Sequence, residues 1–176
     1  MRVISGSARG RKLVSPEGST TRPTPDRVRE ATFNALGSLG VVQEAAVLDL
    51  FAGSGAMGIE ALSRGAARAT FVDQDIAARR AIEANLASCG LSEAAEVVAA
   101  PAARFLAGEG QQRRWDLALL DPPYDFDGWP ELLLDLQATV AVLEGPKPVD
   151  PPFGWEVVRA KRYGRTHVVI AQRIAV

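Results

Sequence analysis

Five short apolar runs separated by helical stretches constrain this chain more than any other feature. They are Ala46–Phe51 (AVLDLF), Ala69–Asp73, Ala95–Ala99, Trp115–Leu120 (WDLALL) and Thr139–Glu144. Near-continuous apolar strands alternating with helices need cover on both faces, which is the doubly wound α/β plan with a parallel sheet. Two further runs, Trp155–Ala160 and His167–Ala171, are joined only by Lys161–Thr166. That link is too short for a helical crossover, so an antiparallel hairpin is expected there. The expected fold class is α/β: a seven-stranded, mostly parallel sheet closed by a terminal antiparallel hairpin strand.

A chain of 176 residues is the size of one ordinary domain. With 47% hydrophobic and 23% charged residues it is globular in composition, and no window approaches the roughly 18 apolar residues of a membrane span. The start, MRVISGSARGRKL, has no apolar stretch after its charges, so a cytoplasmic location is expected and no membrane association. A single cysteine, Cys89, leaves no disulfide framework and no Cys/His zinc site, and no metal is expected.

Asp75 is placed to cap a helix over Ile76–Cys89, with Ala78, Ile82, Leu86 and Cys89 on one stripe and Gly90 as the stop. Cys89 then reads as core filling. Upstream, Thr24 and Pro25 stand where a cap and a first helical residue belong, and Val28, Ala31, Ala35 and Leu39 make the buried face. Arg27 and Arg29 flank that face, and Phe33 falls off it, to meet another element or a ligand. Residues 1–24 have a different texture from the domain over 25–176. Two strand-like pieces, Arg2–Ile4 and Lys12–Val14, are separated by SGSARGR, and the glycines and serines predict an arm that is mobile until something binds. Only Trp129–Gln137 has room to be a helix before the fifth strand. Either that crossover is unusually short or loop residues are lacking there, and the Pro-rich Gly145–Gly154 stretch raises the same alternatives.

The net charge of −1 hides an asymmetry. Residues 1–30 carry seven basic groups (Arg2, Arg9, Arg11, Lys12, Arg22, Arg27, Arg29) against three acids, +4, and the remainder carries thirteen against eighteen, −5. Such polarisation suggests a polyanionic partner more than the total does.

The run Asp49-Leu-Phe-Ala-Gly-Ser-Gly-Ala-Met-Gly58 follows the first strand and leads into a helix. Glycines there let the chain turn sharply and let a ligand approach the backbone at the carboxyl edge of the sheet. Gly53, Gly55 and Gly58 satisfy G-x-G-x-x-G, but Asp49 inside the strand end suits a cationic amino-acid portion rather than a pyrophosphate. Asp73 closes the second strand, where a carboxylate accepts hydrogen bonds from a ribose diol. This D-x-F-x-G-x-G pattern with its second-strand acid resembles the S-adenosylmethionine-dependent methyltransferases of the Rossmann-like class. The resemblance implies that Asp49 and the loop Phe51, Ala52, Gly53, Ser54 and Gly55 surround the methionine part of S-adenosyl-L-methionine. Asp73 would hold the ribose and Gln74 would lie beside the adenine. Where that class has a polar residue after the third strand this chain has Pro101, which leaves the backbone N–H of Ala102 for the adenine edge.

After WDLALL comes Asp121-Pro122-Pro123-Tyr124. Amino nitrogens of nucleobases and amides are poor nucleophiles because their lone pairs are delocalised. The Asp121 carboxylate and the Pro122 carbonyl can accept both amino hydrogens and aim the lone pair at a sulfonium methyl. The prolines fix the turn, and Tyr124 offers a ring for a flat substrate. This points to an amino-group N-methyltransferase without choosing its substrate.

The front of the chain, Arg22-Pro-Thr24-x-Asp26-Arg27-Val28-Arg29-Glu30 followed by Phe33-Asn34-x-Leu36, with FAGSGAMGIEALSRGA and DPPY, closely resembles the bacterial 16S ribosomal RNA guanine-N2 methyltransferases, the family that modifies guanine 966. The likeness covers residues 1 to about 135, and Arg162-Tyr163-Gly164 in the terminal hairpin also fits. It implies that Asp121 and Pro122 grip guanine N2 and that Tyr124 stacks on a base drawn out of its stack. Arg2, Arg9, Arg11, Lys12, Arg22, Thr24, Arg27 and Arg29 would contact the RNA. The implied partner is 16S rRNA or the assembled small subunit, met by a monomer. His167 reads as structural; Arg159, Lys161, Arg162 and Arg165 are an RNA surface or a solvated rim; Glu60 could orient the glycine loop. The rival readings are N-methylation of DNA bases or of a protein glutamine, and a non-catalytic RNA- or cofactor-binding assembly protein.

Overall fold

A computed structural model describes residues 1–18 and 24–174. Its centre is one sheet of β1 (Ala46–Leu50), β2 (Arg68–Val72), β3 (Ala95–Val98), β4 (Trp115–Leu120), β5 (Ala138–Gly145), β6 (Trp155–Tyr163) and β7 (Thr166–Arg173). The strand order is β3-β2-β1-β4-β5-β7-β6. The first five strands are parallel, β7 runs antiparallel to β5, and β6 pairs antiparallel with β7 at the edge. The doubly wound plan and the terminal hairpin are therefore both present. None of the helices described is long and apolar enough to cross a membrane.

Alternate residues of each strand feed opposite faces. Val47, Phe71, Leu117, Leu119, Val140 and Val142 pack on one side with α1 (Asp26–Ser38), α2 (Ala56–Ser63) and α3 (Ile76–Cys89). Leu48, Leu50, Leu120 and Leu143 pack on the other with α4 (Ala102–Ala107) and α5 (Trp129–Asp135). In α3 the Asp75 carboxylate accepts from Ala77 N–H at 2.9 Å, and Gly90 ends the helix in the left-handed region at φ 69°. Cys89 is partly buried against the core. The crossover before β5 is short: α5 ends at Asp135 and β5 begins at Ala138.

Three expectations are corrected. Thr24 is not a helix cap; α1 begins at Asp26 with Pro25 in the cap position and no capping side chain. The buried face of α1 is Val28, Arg29, Thr32, Phe33, Ala35 and Leu36, so Leu39, expected on that face, is exposed, while Phe33 meets another element as expected and is core. The heavier side chain wins the interior because α2 lies on that side, where the Arg64 guanidinium covers the Phe33 ring at 5.3 Å. Nor is the first stretch of the arm loose. Val3, Ala8 and Leu13 are buried in the same core as α1, α2 and α3. Gly6 sits so close to α2 that a Cβ there would lie 1.7 Å from Ser63 O.

Candidate active site

The registers of the parallel strands bring four acids to one edge. Leu50 pairs with Val72 and with Leu120, and Leu120 pairs with Leu143. The next residue on each strand is therefore Phe51, Asp73, Asp121 and Glu144, side by side at the carboxyl ends. Asp49, Asp73, Asp121 and Glu144 share parity with Val47, Phe71, Leu119 and Val142, so all four project toward the α1–α2–α3 face.

The glycine loop closes over this edge. Phe51 has φ 58°, unusual for a non-glycine residue, and Gly53 and Gly55 have φ 57° and 75°. Backbone strain of this kind persists only where surroundings hold it. Here Gly53 N–H donates to Asp73 Oδ2 at 2.9 Å, Ala52 N–H to Val72 O at 3.2 Å, and Phe51 packs edge-on against Phe126. Asp49 is buried and accepts the Gly58 N–H on Oδ2 at 2.8 Å. Among the described residues its Oδ1 receives no hydrogen bond. Burial raises the Asp49 carboxyl well above the usual range; the Gly58 N–H opposes this, and the charges of Asp121 and Asp73 add to the rise. An acid so placed ionises readily only beside a cation. Asp73 also accepts from Asp75 N–H at 2.9 Å on Oδ1, which leaves each oxygen one further lone pair. Gln74 is exposed just beyond, and Ala102 opens α4, where first-turn N–H groups lack intrahelical acceptors.

Asp121 and Glu144 meet at Thr24. The Thr24 hydroxyl lies 3.0 Å from Asp121 Oδ2 and 3.1 and 3.2 Å from the two Glu144 oxygens. Burial pushes the Asp121 carboxyl up to about 6, opposed by the Thr24 hydrogen bond. Burial, with the Asp121 charge added, pushes Glu144 up to about 8. Pro122 is buried behind Asp121, while Tyr124 is 62% exposed beyond it.

The basic residues divide. Arg2, Arg9, Arg11, Lys12 and Arg27 are exposed, and Arg22 lies outside the described residues. Arg29 is fully buried, which corrects its assignment to an RNA surface. It pairs with Asp26 at 3.0 Å, lies 3.8 Å from Glu60 and donates to the Arg2 carbonyl. The Thr24 hydroxyl likewise points inward to the acids rather than to a phosphate. Glu60, expected to orient the glycine loop, accepts instead from the N–H groups of Ile4 and Ser5 and pairs with Arg64 at 2.7 Å, so it clamps the arm. The glycine loop is held by Asn85, whose side chain bonds Val14 N–H and C=O and donates to Ser54 O at 2.8 Å.

Residues 1–172 match the protein family described as conserved hypothetical protein 95. The chain is 38% identical to ribosomal RNA small subunit methyltransferase D of Escherichia coli K12, over 99% of this chain and 91% of that protein. It is 34% identical to the Haemophilus influenzae protein of the same name, over 93% and 89%. The solved structure of the Escherichia coli yhhF protein superposes with a TM-score of 0.86 at 36% identity, covering 98% of this chain and 97% of that one. The chain belongs to the ribosomal RNA small subunit methyltransferase D family.

It is thus a methyltransferase, and its methyl donor is S-adenosyl-L-methionine. The residues present fit that donor. Three carboxylates converge around a backbone loop, and a cation would relieve their mutual repulsion and the cost of burying Asp49. Gly58 adds a steric argument, because a Cβ there would lie 2.4 Å from the Phe71 ring and 3.0 Å from Asp49 Oδ2. The alignment with the Escherichia coli methyltransferase runs over 189 positions, more than the 176 residues here, so that relative carries residues this chain lacks.

Two residues of this methyltransferase site, Glu144 and Asn85, were missed in sequence, and a third, Glu60, was given another role. Glu144 was legible as an acid ending an otherwise apolar strand, the same signal that marked Asp49 and Asp73. Asn85 and the arm-clamping role of Glu60 carried no local signal, because their partners lie 71 and 56 residues away.

Proposed function

We propose that the chain transfers a methyl group from S-adenosyl-L-methionine to the exocyclic N2 of a guanine in 16S ribosomal RNA of the small subunit. The observation that carries this reading is Asp121 held against Thr24 at 3.0 Å, at the carboxyl end of β4, next to the glycine loop and with Tyr124 exposed beyond it. S-adenosyl-L-methionine, when bound, supplies an electrophilic methyl on a sulfonium. Asp49 and the loop from Phe51 to Gly55 take its methionine part, Asp73 its ribose, and Gln74 and the Ala102 N–H its adenine.

Asp121 and the Pro122 carbonyl accept the two amino hydrogens, so that the N2 lone pair points along the line of transfer. As the N2–methyl bond forms and the methyl–sulfur bond breaks with its pair left on sulfur, positive charge develops on N2. Asp121 stabilises that charge, takes the N2 proton and passes it to water. Tyr124 receives the face of the unstacked base, and the exposed Arg2, Arg9, Arg11, Lys12 and Arg27, with Arg22, hold phosphates.

The deciding experiment offers labelled donor with unmodified small subunits, naked 16S RNA, DNA and protein. Label in a guanine of 16S RNA, lost when that guanine is replaced by inosine, which lacks only the 2-amino group, is the expected result. Label in DNA or protein alone overturns the reading.

A further inference from the structure

One hydroxyl stands between two carboxylates, and a hydroxyl has one proton to give. Thr24 Oγ1 contacts Asp121 Oδ2 and both Glu144 oxygens within 3.2 Å. If both acids were ionised, one would face an oxygen lone pair and the other carboxylate with nothing between. Thr24 has a hydrogen bond to each acid only when one acid is neutral and donates to Thr24 while Thr24 donates to the other. Which acid holds the proton decides whether Asp121 accepts amino hydrogens or presents a hydrogen of its own.

The surroundings place it on Glu144. Glu144 is buried on an internal strand, between β4 and β7. Across from it on β7 stands Val168, which offers no charge, and His167 pairs one step further along with Gly145. On β4 its neighbour is Asp121, behind which Asp49 projects from β1 to the same face. Thr24 faces it from the start of α1, and Lys147 follows only after the strand has ended. Asp121, by contrast, is only partly buried, at the mouth of the site.

We propose that Glu144 is a positioning residue that stays protonated, donates to Thr24 Oγ1 and so makes Thr24 donate to Asp121, fixing Asp121 as an ionised acceptor for the substrate amino group. The proposal rests on the reading that Asp121 receives that amino group. Its proton balance is simple. The proton released from the methylated nitrogen goes to Asp121 and then to water, while the Glu144 proton stays in place through the cycle. Loss of that proton to water turns the Thr24 hydroxyl toward Glu144 and leaves Asp121 ionised but without its Thr24 donor and beside a second buried negative charge, so it is no longer held in line for the amino group. Thr24 lies two residues before α1, so the chain entering that helix is fastened to the acid proposed to meet the substrate.

The test uses Glu144→Gln, whose amide N–H can donate to Thr24 without titrating, and Glu144→Ala, which cannot donate. In carbon-13 NMR of the wild-type protein, one glutamate carboxyl should remain protonated at neutral pH, and its signal should vanish in Glu144→Gln. Glu144→Gln should keep kcat within about threefold and lose the alkaline fall of the wild-type profile, whereas Glu144→Ala should lose about tenfold or more in kcat with KM for RNA and donor affinity unchanged. Thr24→Val should match Glu144→Ala. Glu144→Gln as inactive as Glu144→Ala while equally folded, wild-type kcat in Glu144→Ala, or no protonated glutamate in the NMR titration would each overturn the proposal. Absence of RNA methylation by the wild-type protein would instead sink the proposed function, which the NMR signal does not depend on.

Discussion

Gly58 donates its backbone N–H to Asp49 Oδ2 at 2.8 Å, joining the first turn of α2 to the end of β1. The close approach needs a residue without a side chain, since a Cβ would press on the Phe71 ring at 2.4 Å. Gly58→Ala is expected to cost about 1–3 kcal/mol of stability and to weaken donor binding. Denaturant unfolding and calorimetric titration with S-adenosylhomocysteine check both. Unchanged values in the two measurements would mean that α2 shifts freely and that the contact positions nothing.

Asp121→Ala separates binding from chemistry. On the proposed function the β1 and β2 ends hold the donor and Asp121 takes the amino group, so kcat should fall on the order of a hundredfold or more with donor affinity nearly constant. A parallel loss of donor affinity, read by the same titration, would contradict this division.

The arm supports a contrast between neighbours in sequence. Arg9, Arg11 and Lys12 are exposed, and changing each to alanine should lower the salt slope of RNA binding by about 0.7–0.9 per lost phosphate contact while leaving stability alone. Arg29→Ala should do the reverse. It leaves Glu60 buried with a partner removed, a change that costs about 3–5 kcal/mol, and it alters the salt slope only as far as the arm comes loose. Filter binding over a salt series, beside thermal unfolding, distinguishes the two classes.

Local patterns in the sequence were enough to read the sheet and much of the candidate site. The five parallel strands announce themselves through apolar runs, and the glycine loop and the Asp-Pro-Pro-Tyr turn through short motifs with a fixed place at strand ends. What failed depends on distant contacts. A helical stripe drawn through Val28 and Leu39 cannot know that α2 lies on the side of Phe33 and Arg29, and an arginine inside a basic segment looks solvated until Glu60 is brought against it. The arm's glycines read as mobility, yet Gly6 is there so that the chain can lie on Ser63. Glu144 required the register between β4 and β5, which no single segment carries.

The raised carboxyls make stability fall with pH, in a direction that can be worked out from Glu144. In the unfolded chain its carboxyl ionises near 4.5, in the folded protein at about 8. Below the first value both states hold the proton and the buried acid costs nothing. Between the two the unfolded chain ionises while the folded one does not, so stability is lost steadily as pH rises, and the loss is complete above about 8. Asp121 adds in the same sense between 3.8 and about 6. Glu96 runs the opposite way: the Arg113 hydrogen bond holds it low, so its contribution is lost as pH falls, but half of its side chain is in water and the effect is small. Unfolding by denaturant at pH 5 and pH 8 should therefore show the wild-type protein losing about 1–3 kcal/mol more than Glu144→Gln, the two being alike at the acid end. Parallel losses in both proteins would place the proton elsewhere.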